Sequence, residues 1–160
     1  MDDNEIRRKV LVQEIEKAFI GVHYPGNERL VIDECSDCRE IAEAFSGKHW
    51  KDVSPEIIDE HYDAFAFFSD AAFQFFLPAF MSFTVQQRKD SPSIAVDTTV
   101  FILTSPHPQN PRFGRFRQRI ETLTHEQKRA ARHFLQFMRE RGYEVEVDSA
   151  MHNYWEGSGA

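Results

Sequence analysis

The stretch from Ala71 to Val85, "AAFQFFLPAFMSFTV", most narrows what this chain can become. Wound as a helix, it is apolar on nearly every side rather than along one stripe, so other elements must surround it. It is too short for a membrane span, and Gln74, Pro78 and Ser82 interrupt it. Ser69-Asp70 offers a cap for its start, and Pro78 leaves the Gln74 carbonyl without its amide donor, which favours a kink. The chain has 15 phenylalanines in 160 residues, most of them between Phe45 and Phe137. A core built from such side chains fills its volume with few, large pieces.

The flanking sequence supplies the surrounding elements. Ile6, Val10, Leu11, Ile15, Ala18 and Phe19 form one helical stripe over 4–20, with Asp2, Asp3 and Asn4 available to cap it. "HYPGNERLVID" (23–33) opens with a turn and then reads as loop or short strand. Cys38, Ile41, Ala42 and Phe45 recur at helical spacing, and Gly47 is placed to end that helix. Ser54-Pro55 is a cap followed by proline at the first helical position, leading a helix that carries Ile57, Ile58, His61, Tyr62 and Phe65.

"SIAVDTTVFILTS" (93–105) suits either a strand or a helix with Ile94, Ala95, Thr98, Phe101 and Ile102 on one face. "RFGRFRQRIETL" sets Phe113, Phe116 and Ile120 apart from Arg112, Arg115 and Arg119, as an amphipathic helix does. Thr124 and Gln127 form a capping box ahead of Ala131, Phe134, Leu135 and Met138, with a stop at Gly142. "YEVEVD" (143–148) alternates and predicts a short strand. Tyr154 and Trp155 are placed to dock before the tail. The expectation is a mainly α, compact single-domain fold of about five to seven helices with at most one or two short strands. The domain spans 1–156, and 157–160 frays.

The net charge of −7 is uneven. Residues 1–70 hold 17 acidic and 8 basic side chains, whereas 112–141 holds nine Arg or Lys against three Glu. The acidic whole argues against broad phosphate-backbone binding, while the acidic first half suits a basic protein partner. No apolar leader follows Met1 and no apolar run spans a membrane, so the expected setting is cytoplasmic. There is no Gly-rich phosphate loop, no HExxH and no GxSxG.

Chemistry-bearing candidates are few. Cys35 and Cys38, in "DECSDC", have the spacing of half a zinc site, and His49 and His61 are the nearest ligands to complete it, although the full spacing matches no standard finger. A redox pair is a second reading, with the helix N-terminus favouring a thiolate and Asp33, Glu34 and Asp37 opposing it. The periodicity fits best a third: both cysteines face inward as small apolar residues. His49 and His61 are also the only catalytic candidates, and on a helix Asp63 does not face His61. Trp50 in "GKHWKD" reads as a core plug, with its charged neighbours solvated or holding an anion. Arg112, Arg115 and Arg119 read as a solvated cationic face, or as a contact for an acidic protein or, with Arg129 and Arg132, for nucleic acid.

Read together, "ECSDCREIAEAFSGKHWKDV" (34–53), "HYDAFAFFSDAAFQFFLPAF" (61–80) and "LTHEQKRAARHFLQFM" (123–138) resemble a family of uncharacterised bacterial proteins, domain of unknown function 6714. The resemblance runs from about residue 5 to 141. It implies a small helical domain and makes Cys35, Cys38, Trp50, His61 and Pro78 parts of a family pattern, which strengthens the zinc reading. It carries no activity. The leading expectation is therefore a non-enzymatic interaction domain of accessory or immunity type, needing no cofactor. A zinc protein or metal-dependent enzyme using Cys35, Cys38, His49 and His61 stands second. A nucleic-acid regulator working through 112–141 stands third.

Overall fold

The computed structural model describes residues 1–88 and 93–157. Eight α-helices lie among them: α1 Asp3–Phe19, α2 Ser36–Phe45, α3 Pro55–Glu60, α4 Asp70–Gln86, α5 Ile94–Leu103, α6 Phe113–Ile120, α7 His125–Arg139 and α8 Glu144–Asn153. Short 3-10 turns at Asn27–Arg29, Trp50–Asp52, Ala64–Ala66 and Trp155–Gly157 join or end them. Extended pairing among the described residues is a single antiparallel bridge between Val31 and Phe68.

Helix α4 is the hub, contacting α1, α3, α5 and α7, while α7 also packs on α1 and α8. It starts where Ser69 accepts from the Ala72 amide, and it remains helical through Pro78. Around it stand aromatic rings. Phe45 of α2 meets Phe68 and Phe76 edge-on with centroids 5.0 Å apart, and Phe65 lies 4.5 Å from Phe80. Such pairs contribute about 0.5–1.5 kcal/mol each beyond the area they bury. One polar knot pins α1, α4 and α7 together. Gln74 donates to Gln127 Oε1 at 2.9 Å, and the buried Gln127 donates to the Ala18 carbonyl at 3.2 Å. That same Oε1 accepts from the Thr124 amide, closing the expected capping box.

Several expectations hold in detail. Asp2 caps α1 through the Glu5 amide, Ser54 caps α3, and Trp50 is buried. Trp155 is fully buried and donates Nε1–H to the Leu103 carbonyl at 2.8 Å, tying the chain end to α5. Gly47 adopts a φ of 71°, the left-handed conformation that lets the chain turn after α2.

Others are corrected. Eight helices replace five to seven, partly because 143–148 is not a strand. Val147 and Ala150, one turn apart, are buried on α8 while Val145 projects outward, so an alternation six residues long concealed a helical face. The helix expected to run from Pro55 through Phe65 stops at Glu60, with His61 at φ −110°, ψ 45°. A 3-10 turn at Ala64–Ala66 follows, and from it Phe65 and Phe68 reach the aromatic cluster. The 93–105 ambiguity resolves as helix, but Phe101 faces solvent and the buried residues are Ala95, Thr99, Val100 and Leu103. Gly157 belongs to the last 3-10 turn, and 158–160 lie outside the described residues.

Candidate partner-binding groove

Helix α5 is apolar over most of its circumference, yet only one side of it meets the core. Its other side, with the first turns of α6 and the 61–66 turn, borders a cavity of about 510 Å³. Ile32, Tyr62 and Phe101 line that cavity and are exposed, Ile32 by 59% and Phe101 by 71%. Large apolar side chains gathered at one depression are unlike scattered surface hydrophobics, which need no explanation. Thr98 fixes the geometry by donating to the Tyr62 carbonyl at 2.8 Å, joining α5 to the turn.

The arginines of α6 border the same cavity, and the structure divides them by role. The Arg119 side chain is only 11% exposed. Its guanidinium donates to the Phe65 carbonyl at 2.7 Å and the Phe68 carbonyl at 2.8 Å, and lies over the Phe73 ring at 5.3 Å. Burial pushes its pKa below the ordinary arginine value, and the neighbouring Arg115 adds to that. Arg119 is thus a clamp holding the 65–68 turn, not part of a solvated cationic face. The expected grouping with Arg112 and Arg115 is corrected accordingly. Its position one residue before buried Ile120 takes it under the turn.

Arg115 makes a two-point contact with Asp70, Nη1 to Oδ2 at 3.0 Å and Nη2 to Oδ1 at 2.8 Å. Hydrogen bonding from Arg115 holds the Asp70 carboxyl below the usual carboxylate range, against the opposing effect of burial. Arg112 forms no ion pair among the described residues and stays exposed at the rim. Phe116 is half-buried, with its ring edge-on to Tyr154 at 5.4 Å, and Phe113 is also half-buried.

Tyr62 and Asp63 also line a smaller cavity of about 140 Å³, together with Asp37, Glu40, Glu60 and His61. The two depressions are therefore neighbours, one carrying arginines and the other carboxylates. His61 packs its ring against Phe45 at 6.2 Å. His49 is remote from this arrangement in its contacts. Its Nδ1 accepts from the Lys51 amide at 3.1 Å, and its ring packs on Trp50 and Phe75.

Cys35 and Cys38 are joined by a disulfide, so in this state neither is a thiolate available to a metal. Of the proposed ligand set, Cys35 and Cys38 are brought together. Among the described residues, no three His, Cys, Asp or Glu side chains are grouped to hold a metal ion. The inward-facing reading is right for Cys38, which is buried, and corrected for Cys35, which is exposed. Cys35 is the N-cap, with extended φ and ψ, so helical periodicity counted back from Cys38 does not apply to it.

Sequence reasoning does not single out the groove residues Ile32, Tyr62, Asp63, Thr98 and Phe101 as a site. One signal is present: α5 carries more apolar surface than a helix bounded by polar loops can bury on one side. No helix among the described residues is long and apolar enough to cross a membrane. No curated protein and no solved structure matches the chain. Residues 7–158 match the family described as "Family of unknown function (DUF6714)". That match covers nearly the whole chain, and the protein therefore belongs to the DUF6714 family.

Proposed function

We propose that this protein is a protein-interaction domain and that the groove bordered by α5, α6 and the 61–66 turn is its docking surface. The observation that carries this reading is the exposure of Ile32, Tyr62 and Phe101 at one cavity beside the exposed Arg112. The occupant is a segment of another protein bearing large apolar side chains and an adjacent acidic residue. Apolar anchors in a depression supply most of the affinity of such contacts, and charges at the rim set orientation and specificity. The contiguous acidic cavity gives the segment a direction. A basic side chain beyond the apolar anchors meets Asp37, Glu40, Glu60 and Asp63, which accommodates the basic partner that the acidic first half suggested.

Random-sequence peptides displayed on phage and selected on the immobilised protein test this. The expected winners carry aromatic or aliphatic anchors with Asp or Glu on one side. Phe101→Ser should weaken their binding roughly tenfold or more, and Arg112→Ala should weaken it less. No enrichment, or winners that bind Phe101→Ser as tightly as the parent, would overturn the groove. Concentration-dependent self-association abolished by Phe101→Ser would also overturn the assignment, by giving the groove to a second copy.

A further inference from the structure

The Cys35–Cys38 pair lies outside the groove's work, and its two ends differ. Cys35 is exposed and caps α2, whereas Cys38, in the first turn of that helix, is 1% exposed. Their Cα atoms are 5.0 Å apart. The Cys38 amide donates to Cys35 Sγ at 3.1 Å, and the Arg39 amide donates to the Cys35 carbonyl at 3.0 Å. Cys35 is thus the accessible end, with a backbone donor at its sulfur suited to its departure as thiolate in the second displacement, while Cys38 is sheltered in packing. Over 33–40, the carboxylates Asp33, Glu34, Asp37 and Glu40 are exposed beside a single cation, Arg39. The acidic cavity shared with Glu60 and Asp63 extends that negative field.

We infer that Cys35–Cys38 is a thiol–disulfide exchange site whose co-reactant is a thiol flanked by positive charge, attacking at Cys35. In the reducing direction, the incoming thiolate bonds to Cys35 Sγ. The electron pair of the broken S–S bond leaves on Cys38 Sγ, which takes the proton the co-reactant released. A second co-reactant thiolate then attacks the partner sulfur of the mixed disulfide, expelling Cys35, which is protonated in turn. Two co-reactant thiols are oxidised to one disulfide, and the protein disulfide is reduced to two thiols. The surrounding carboxylates repel anionic attackers and attract cationic ones, so charge selects the co-reactant. This inference stands on the cysteine pair and its surroundings and does not depend on the groove.

The test uses the whole chain with two small thiols whose thiolate forms differ in charge, zwitterionic cysteamine and dianionic 3-mercaptopropionate, at low and high salt. Reduction by 3-mercaptopropionate, whose attacking thiolate form carries two negative charges, should quicken as salt is added because screening removes repulsion, whereas reduction by cysteamine, whose thiolate form is zwitterionic, should change little. Cys38→Ser exposed to cystamine should form a single mixed disulfide at Cys35, whereas folded Cys35→Ser should leave Cys38 unmodified. Should either variant fail to fold, alkylation of the partly reduced native chain reads the same asymmetry, with Cys35 labelled ahead of Cys38. A disulfide that yields only after unfolding would overturn the inference. Equal labelling of the two sulfurs, or the same salt response for both thiols, would do so as well.

Discussion

Helices α4 and α5 are both apolar nearly all round, and they meet opposite fates. Twelve of the 17 residues of α4 are buried, against four of the ten in α5. In α4, every side finds a neighbour, because α1, α3, α5 and α7 close around it. Helix α5 is covered on the side of Ala95, Thr99 and Leu103 and is left with Ile94 and Phe101 in solvent. Hydrophobic composition alone therefore ranks neither helix as central. The number of elements available to cover it decides, and uncovered apolar surface is what a binding site is made of.

Substitution within α4 should do the most harm. Phe76→Ala removes a fully buried ring that meets Phe45, Phe68 and Phe75, and should cost about 3–5 kcal/mol of stability. Urea unfolding measures it, and a loss near that of a surface substitution would deny α4 its role as hub. The Arg119 clamp comes next. Arg119→Met keeps the apolar stem but leaves the buried Phe65 and Phe68 residues with carbonyls lacking that donor, at about 2–3 kcal/mol. Arg119→Lys should recover only part of this, since an ammonium does not span two carbonyls as a guanidinium fork does. Smallest is Phe101→Ser, which should change stability by no more than about 0.5 kcal/mol, because the ring touches solvent rather than core. A large loss of melting temperature there would mean that Phe101 belongs to the core and not to a docking surface.

Legibility follows the range of the interaction. Caps at Asp2, Ser54, Ser69 and Thr124, the amphipathic stripe of α7 and the left-handed turn at Gly47 all arise from neighbours within a few residues, so the sequence alone announces each of them. The stripe over α1 is only partly right. Leu11, Ile15 and Phe19 are buried, while Ile6 and Val10 project, because α7 and α4 cover only part of that face. The site is less legible. Arg112, Arg115 and Arg119 look alike in sequence, and only the Phe65–Asp70 segment arriving from far upstream makes one a clamp and one an ion-pair partner and leaves one exposed at the rim. Cys35 and Cys38 suit metal, redox and packing readings alike. A spacing of three cannot separate those readings, since it places the sulfurs near each other in all of them.

The helical class, the membership of the DUF6714 family and the caps can be read from the residues alone. These depend on local backbone chemistry and on periodicity, which act over one or two turns. Tertiary structure alone decided that α3 stops at Glu60, that Phe101 faces out and that Arg119 faces in. Each of those outcomes sets the burial of one side chain against another brought from a distant part of the chain, and a competition of that kind leaves no periodic mark in the sequence.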